Sequence, residues 1–322
     1  MKAAIYRRYG PPGVVQIDDV EKPVPRDNEV LIKVCAASVN PIDWHLIRGM
    51  PYMLRIAAGL RKPKMTRLGS DVAGEVEAVG RTVTQFNPGD PVFGLCRGTL
   101  AEYVCVSESA LVRKPDNLTF EQAASVPLAS LTALQAFGDE EEIQPWQKVL
   151  INGAAGGVGT FAVQIAKSFG AHVTGVCSTR NVEMVRSIGA DQVIDYTQKD
   201  FTQGWQHYDL ILDCVGNHSL SACRRVLGRT GTYVMIGGPT GQWMIRLLGR
   251  VIKALVLSWF VQQKLTMMIT KASKENLIMM CELMETRKVR PVIDRRYTLS
   301  EVPEAIRYLE EGHARGKVVI NL

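Results

Sequence analysis

The chain has 322 residues, 46% hydrophobic and 22% charged, with 28 Gly and 15 Pro. This is ordinary globular usage with length enough for two hydrophobic cores, which excludes disordered, collagen-like and coiled-coil chains. Lysine and arginine number 38 against 32 acidic residues, a mild net charge of +6.

Taken in chain order, the region before Thr119 predicts strands at 14–20, 29–37, 71–79 and 100–106, rich in β-branched residues and often alternating polar with apolar. Gly10-Pro11-Pro12-Gly13, Pro23, Pro25 and Asn87-Pro88-Gly89-Asp90-Pro91 punctuate them as turns. At Thr119 the texture changes, because its hydroxyl can satisfy first-turn amides and so predicts a helix start. Beyond it, short apolar strands are expected at 149–151, 173–177, 192–194, 210–214 and 233–236, with helices at 157–169, 181–188 and 220–227. Fully apolar strands between helices predict a parallel sheet covered on both faces. A helix at 274–286 and strands at 290–294 and 316–322 end the chain, with the tail returning to the first domain. The expected class is α/β, divided into 1–118 with 289–322 and 119–288.

The strongest motif is Val149-Leu-Ile-Asn-Gly-Ala-Ala-Gly-Gly-Val-Gly-Thr, a glycine-rich turn between an apolar strand and a helix. Glycines let backbone approach a dinucleotide pyrophosphate, and a helix N-terminus offers unpaired amides and a positive dipole end. Sites for NAD usually carry Asp or Glu at the end of the second strand, to bind the ribose 2′-hydroxyl. Here that strand ends Gly175-Val-Cys-Ser-Thr-Arg-Asn, with Ser178 and Arg180 where a 2′-phosphate would lie, so NADPH is expected over NADH.

The seven cysteines (35, 96, 105, 177, 214, 223 and 281) are scattered and never spaced as C-x-x-C, which points to a reducing compartment, the cytoplasm. The five histidines show no HExxH, and none of the nine tyrosines has Lys four residues later. No acidic residue falls between Asp213 and Glu275, where basic residues accumulate. A solvated, phosphate-facing surface is preferred there over nucleic-acid binding, since no aromatic-interleaved RNA motif accompanies the charge. Residues 1–8 hold no apolar core of signal-peptide length, which predicts no secretory leader. The longest apolar stretch, 247–261, is too short to cross a bilayer and carries Arg250 and Lys253.

Beyond the glycine turn, Ser38-Val-Asn-Pro-Ile-Asp-Trp, Gly69-Ser-Asp-Val-Ala-Gly, Gly89-Asp-Pro-Val-Phe-Gly, Gly98-Thr-Leu-Ala-Glu-Tyr, Gly189-Ala-Asp-Gln-Val-Ile-Asp-Tyr and Gly316-Lys-Val-Val-Ile span nearly the whole chain. Together they resemble the zinc-free, quinone oxidoreductase-like branch of the medium-chain dehydrogenase/reductases. The resemblance implies a GroES-like β domain plus a Rossmann doubly wound parallel-sheet domain, a cleft between them, and a homodimer made through the last Rossmann strands, around 264–270. Where zinc-dependent relatives carry Cys, His-Glu and a further Cys, this chain has Asn40, Ser70-Asp71 and Val126-Pro-Leu-Ala-Ser, and the four-Cys lobe is missing. A metal-free site is expected.

That expectation bears on the reaction. Reducing a simple ketone develops an alkoxide that needs a Lewis acid or a placed proton donor. Quinones and α,β-unsaturated carbonyls leave a delocalised anion instead, so positioning over the nicotinamide supplies most of the catalysis. By resemblance, Asn40 and Asp43 sit at the nicotinamide end, with helix capping the other reading for Asp43. Tyr52 is a proton donor, a stacking surface or loop packing, and His45 is read as structural. Cofactor contacts are carried over to Asn40, Thr132, Ala154, Gly156, Gly157, Val158, Gly159, Ser178, Arg180, Tyr196, Val215, Gly237 and Lys317, with Gly238 and Arg315 beside them. Residues 241–263 cap a substrate cleft, pack in the core or a dimer, or make peripheral membrane contact, core or dimer packing being preferred. An enoyl-thioester reductase, or a non-catalytic NADPH- or RNA-binding protein, are the alternatives to a quinone or enone reductase.

Overall fold

A computed structural model describes residues 1–138, 143–237 and 262–322. They form two compact units, one of Met1–Leu131, Ala272–Arg287 and Pro291–Leu322, the other of Thr132–Lys271 and Lys288–Arg290.

The first unit opens with β1 (Lys2–Tyr6) and β2 (Val15–Asp19), an antiparallel ribbon. The long strand β3 (Glu29–Val39) follows, then α1 (Pro41–Arg48) and α2 (Leu54–Ala58). Next come β4 (Asp71–Val79), β5 (Pro91–Leu95), β6 (Tyr103–Ser107) and β7 (Leu111–Arg113). β3 pairs antiparallel with both β4 and β6, β4 with β5, and β5 with β7. The inward residues of these strands, among them Val30, Ile32, Val72, Val92 and Leu111, are wholly buried in one core. The alternation expected from the sequence is the inward face of this sheet.

Thr119 does start a helix, α3 (Phe120–Ala124). Its Oγ1 accepts from Gln122 N at 3.2 Å while Gln122 Oε1 accepts from Thr119 N at 2.9 Å, a reciprocal cap. That helix packs on the first unit's sheet, and Glu121 is bonded to Arg296 and Asn321 of the same unit. The chain passes into the second unit within α4 (Pro127–Ala136), later than the expected bound at 118.

The second unit alternates β8 (Lys148–Asn152), α5 (Gly157–Ser168), β9 (His172–Cys177), α6 (Val182–Ser187), β10 (Gln192–Asp195), β11 (Tyr208–Asp213), α7 (Leu220–Arg225), β12 (Leu227–Met235) and β13 (Lys264–Met267). The strands lie in the order β10-β9-β8-β11-β12-β13, every pair parallel, which is the doubly wound Rossmann arrangement expected. Val149, Leu150 and Ile151 in central β8 are fully buried, which is why that strand reads as an unbroken apolar run.

The remaining elements return to the first unit: α8 (Lys274–Glu285), β14 (Ile293–Thr298), α9 (Val302–Glu310) and β15 (Lys317–Asn321). β15 runs antiparallel to β3 and parallel to β14. α8 was expected with the second domain. It stays with the first because it packs on β7, while Asn117 Nδ2 donates to Met284 O at 3.0 Å. No disulfide joins any of the seven cysteines. Among the described residues no helix is long and apolar enough to cross a membrane. Gly238 and most of the 241–263 segment lie outside the described residues.

Candidate cofactor turn and a buried polar cluster

The glycine turn sits where β8 gives way to α5. Gly153 takes φ +89°, and its amide and that of Ala154 donate to Val176 O of β9 at 3.1 and 3.0 Å. A Cβ on Gly159 would lie 2.1 Å from Gly153 O, so only glycine lets α5 start this close to the strand. Gly156 is different. A Cβ there would meet only Gly153 O, at 3.5 Å, so this face of the turn is open. Gly156 is the N-cap of α5, and the first-turn amides at Gly157, Val158 and Gly159 belong to the set that an α-helix leaves without intrahelical partners. An open glycine face above such amides fits a dinucleotide pyrophosphate.

Beside the turn, β9 ends at Cys177, and Ser178 leads into the single helical turn Thr179–Asn181. Arg180 is exposed on that turn. Tyr196 is half-exposed, and its amide donates to Cys177 O at 3.0 Å, which holds the end of β10 against the end of β9. At the end of β10, next to Tyr196, the Asp195 carboxylate accepts from Thr179 Oγ1 at 2.6 Å and from Thr197 N and Oγ1 at 3.0 and 2.8 Å. Those hydrogen bonds, Thr179 foremost, hold its pKa below the usual carboxylate range. Ser178, Arg180 and Tyr196 thus share one sheet end with the glycine turn.

Under the turn lies a network that the sequence reading did not identify. Asp213, buried at the end of β11, accepts from Asn152 Nδ2 at 2.9 Å, Val215 N at 3.2 Å and Gly216 N at 2.7 Å, and from the Tyr233 hydroxyl. Asn152 Nδ2 also donates to Asn217 Oδ1 at 2.9 Å. These bonds fix the Val215 turn, whose side chain packs on Gly153. Gly237 closes the same edge, its amide donating to Asp213 O at 3.2 Å. Thr132, the first residue of the second unit, is buried, its hydroxyl sharing a 2.6 Å hydrogen bond with that of Thr270. Burial first and Asp213 second push the Cys214 thiol up to about 12, which disfavours its thiolate.

In the first unit a second polar cluster is buried around Asp71. Its Oδ2 accepts from Ser38 Oγ at 2.6 Å, Asn40 Nδ2 at 2.8 Å and Lys317 Nζ at 3.2 Å, and its Oδ1 from Leu128 N at 2.7 Å. Lys317 Nζ also donates to Asn40 Oδ1 at 2.5 Å, so both ends of the Asn40 amide are engaged. An ion pair so buried is tolerated only when each charge is also hydrogen-bonded, as these are. Asp43, also buried, takes the capping role: Oδ2 accepts from Asn40 N at 2.8 Å and Oδ1 from Gly69 N at 3.0 Å. Burial raises its pKa to about 6 against those two hydrogen bonds, with the Asp71 charge adding to the rise and Lys317 opposing it.

The structure therefore joins Asn40, Asp43 and Lys317 and adds Ser38 and Asp71. Tyr52 is not in that cluster. It lies exposed in the turn before α2, its ring 4.9 Å from the Arg55 guanidinium. His45 stacks on Trp44 and bonds Met50 O through Nδ1 at 3.0 Å, a structural placement. Arg315 donates its backbone amide to Asp294 Oδ2 at 2.8 Å. The signal for Asp71 was present, a charged residue opening the apolar strand Asp71-Val-Ala, but nothing local to it names Lys317 as its partner. Among the described residues, no group of three or more His, Cys, Asp or Glu is placed to hold a metal ion.

Comparison with known proteins bears on both units. Two family models match the chain, an alcohol dehydrogenase GroES-like domain over residues 26–116 and a zinc-binding dehydrogenase over residues 188–320. A mouse (Mus musculus) protein named NAD(P)H oxidoreductase RTN4IP1, mitochondrial, is 40% identical across 92% of this chain and 82% of its own. The solved quinone oxidoreductase from Coxiella burnetii is 35% identical, with a TM-score of 0.87 over 100% of this chain and 99% of its own. The mycobacterial protein Rv1454c, solved with NADPH, is 26% identical, with a TM-score of 0.83 over 100% of each chain.

Proposed function

Because the chain belongs to the medium-chain dehydrogenase/reductase family, in its quinone oxidoreductase type, we propose that it reduces quinones or α,β-unsaturated carbonyls with NADPH and without zinc. The observation that carries this reading is the open glycine turn beside a strand end bearing Ser178 and Arg180, where the nearby carboxylate of Asp195 is already committed to Thr179 and Thr197. When bound, the reduced nicotinamide supplies a hydride to a carbon acceptor. The chain's own part is binding and orientation. Amides at Gly157, Val158 and Gly159 receive the pyrophosphate, and Ser178 and the Arg180 guanidinium receive the 2′-phosphate as charge-assisted donors. Tyr196 offers an exposed ring beside them, and Val215 and Gly237 line the same sheet edge.

The zinc-free part of the reading rests on donor chemistry. At two positions where zinc-dependent relatives carry Cys and His stand Asn40 and Ser70, and the adjacent Asp71 is neutralised by the Lys317 ammonium, which also bonds Asn40. Zinc favours thiolate, imidazole or free carboxylate ligands. An amide bonded at both ends and a carboxylate already paired with a cation do not meet that need. Seven cysteines outside any disulfide favour a reducing compartment such as the cytoplasm, while the mouse relative is named as mitochondrial.

NADPH oxidation followed with a quinone and with an alkenal tests the reading, alongside elemental analysis, which should find less than one zinc per chain. Arg180→Ala should raise the KM for NADPH by about ten- to a hundredfold, the usual worth of a hydrogen bond to a charged group, and leave NADH nearly unchanged. Equal losses for both nucleotides would remove Arg180 from the 2′-phosphate. Tight NADPH binding with no turnover of any acceptor would remove the reductase.

A further inference from the structure

Residues 44–70 hold Arg48, Arg55, Arg61, Lys62, Lys64 and Arg67 and no acidic residue. Two of these cations work inside the fold. Arg48 pairs with Glu310 at 2.8 Å, and Arg55 donates to Gly49 O at 3.0 Å with its guanidinium 4.2 Å from the Tyr9 ring. Arg61, Lys62 and Lys64 are exposed and make no ion pair among the described residues. The same stretch exposes Tyr52 at 68%, Met53 at 55%, Ile56 at 65%, Leu60 at 71% and Met65 at 42%. Single exposed apolar side chains are normal, but a run of five beside three cations is a patch that asks for a partner.

The patch is held in place from behind. The Tyr9 hydroxyl donates to Gly59 O at 2.5 Å, and Arg55 lies against the rings of both Tyr9 and Tyr52. Beyond α2 the chain turns back on itself, with Gly59 N donating to Arg55 O at 2.8 Å and Lys64 N to Ala58 O at 2.7 Å. That return brings the backbone of the 60–64 cation turn onto the end of the helix carrying Ile56. The apolar side chains are presented by a pinned turn.

We infer that residues 52–65 form a docking surface for an anionic lipid bilayer. Tyr52, Met53, Ile56 and Leu60 enter the headgroup boundary, and Arg61, Lys62 and Lys64 meet lipid phosphates. Aromatic and aliphatic side chains bordered by basic ones are the composition of interfacial segments. A second copy of the chain is the poorer occupant, because a symmetric contact would set these cations against their own copies. The inference is independent of the catalytic reading and of residues 241–263.

Sedimentation of the full chain with vesicles tests it, using phosphatidylcholine alone and with phosphatidylglycerol added, at low and at physiological salt. The chain should pellet with the anionic vesicles and less so as salt rises. Arg61→Glu/Lys62→Glu/Lys64→Glu should weaken this capture by about a hundredfold or more, at about fivefold per basic residue removed. Ile56→Ser/Leu60→Ser should weaken it by about tenfold or more. Both variants should melt with the wild type; if the charge reversal does not, Arg61→Gln/Lys62→Gln/Lys64→Gln serves in its place and should lose capture likewise. No capture by anionic vesicles, equal capture by neutral ones, or capture that survives both variants overturns the inference. So does wild-type self-association that Ile56→Ser/Leu60→Ser abolishes, which would give the face to a second copy.

Discussion

Asp43 and Asp71 are equally buried carboxylates whose charges are met differently. Asp71 faces an ammonium, a hydroxyl and two N–H donors, whereas Asp43 has two backbone amides and no cation of its own. Burial therefore dominates for Asp43 and lifts its pKa from the ordinary 3.8 to about 6. Between those values the folded chain holds a proton that the unfolded chain has released. Asp43 thus contributes stability that is full below the lower value and lost as pH rises through the upper one, about 3 kcal/mol in all. Asp90, Asp191 and Glu301 have depressed pKa values and act in the opposite sense at lower pH, so the informative quantity is a difference between proteins. Asp43→Asn keeps the size, cannot ionise and turns an NH2 toward one of the two amides. Urea unfolding from pH 4.5 to 7.5 should show the wild type losing stability relative to this variant as pH rises. A difference that stays flat with pH would mean the carboxyl does not titrate in that window.

The glycine turn is the element whose chemistry the sequence displayed most openly, and two substitutions in it separate folding from binding. Gly156 has φ −81° and ψ 177°, which any residue adopts, and open space beyond Gly153 O. Gly156→Ala should fold normally, or gain a few tenths of a kcal/mol from a stiffer unfolded chain, yet bind NADPH about tenfold or more weakly because its methyl occupies the phosphate face. Gly159→Ala forces a methyl to 2.1 Å from Gly153 O and should cost about 1–3 kcal/mol, seen as a melting temperature lower by several degrees. Matching losses of stability in both variants would contradict this division of labour. Turn, β8 and α5 were legible because their constraints are local: a buried strand must be apolar, and a phosphate turn must be glycine. α3 and α8 were found as helices but given to the wrong domain, since their attachment depends on Glu121 meeting Arg296 and on Asn117 meeting Met284, partners remote in sequence. The same remoteness hid Lys317 from Asp71 and Asn152 from Asp213, while α9 passed unread although its buried Val302, Ala305 and Ile306 recur at helical spacing.

At the scale of the molecule, the parallel sheet ends in a strand that nothing described pairs on its outer side. β13 is bonded to β12 along one edge and stands last in the order, and Met267 and Ile269 are exposed on it and just beyond it. Open edges are templates for another chain, and folded proteins usually blunt them with lysine or proline or cover them. Here Lys264 is the one cation in Lys264-Leu-Thr-Met, at its start, which leaves the rest of the edge available. We therefore propose a homodimer in which two β13 strands pair antiparallel about a two-fold axis, continuing one sheet through both copies. A stable interface of this kind buries roughly 1,200–2,000 Å² in total, more than strand edges alone supply, so side chains flanking the strand must take part. Met267→Lys with Ile269→Lys adds two like charges to each copy's edge at the join, which then repel those of the partner copy. Light scattering after gel filtration should give the mass of two chains for the wild type and of one chain for this variant, with NADPH affinity retained because the glycine turn belongs to other strands. A variant that remains dimeric would move the interface elsewhere, and a wild type that is monomeric at tens of micromolar would leave the edge covered from within the chain.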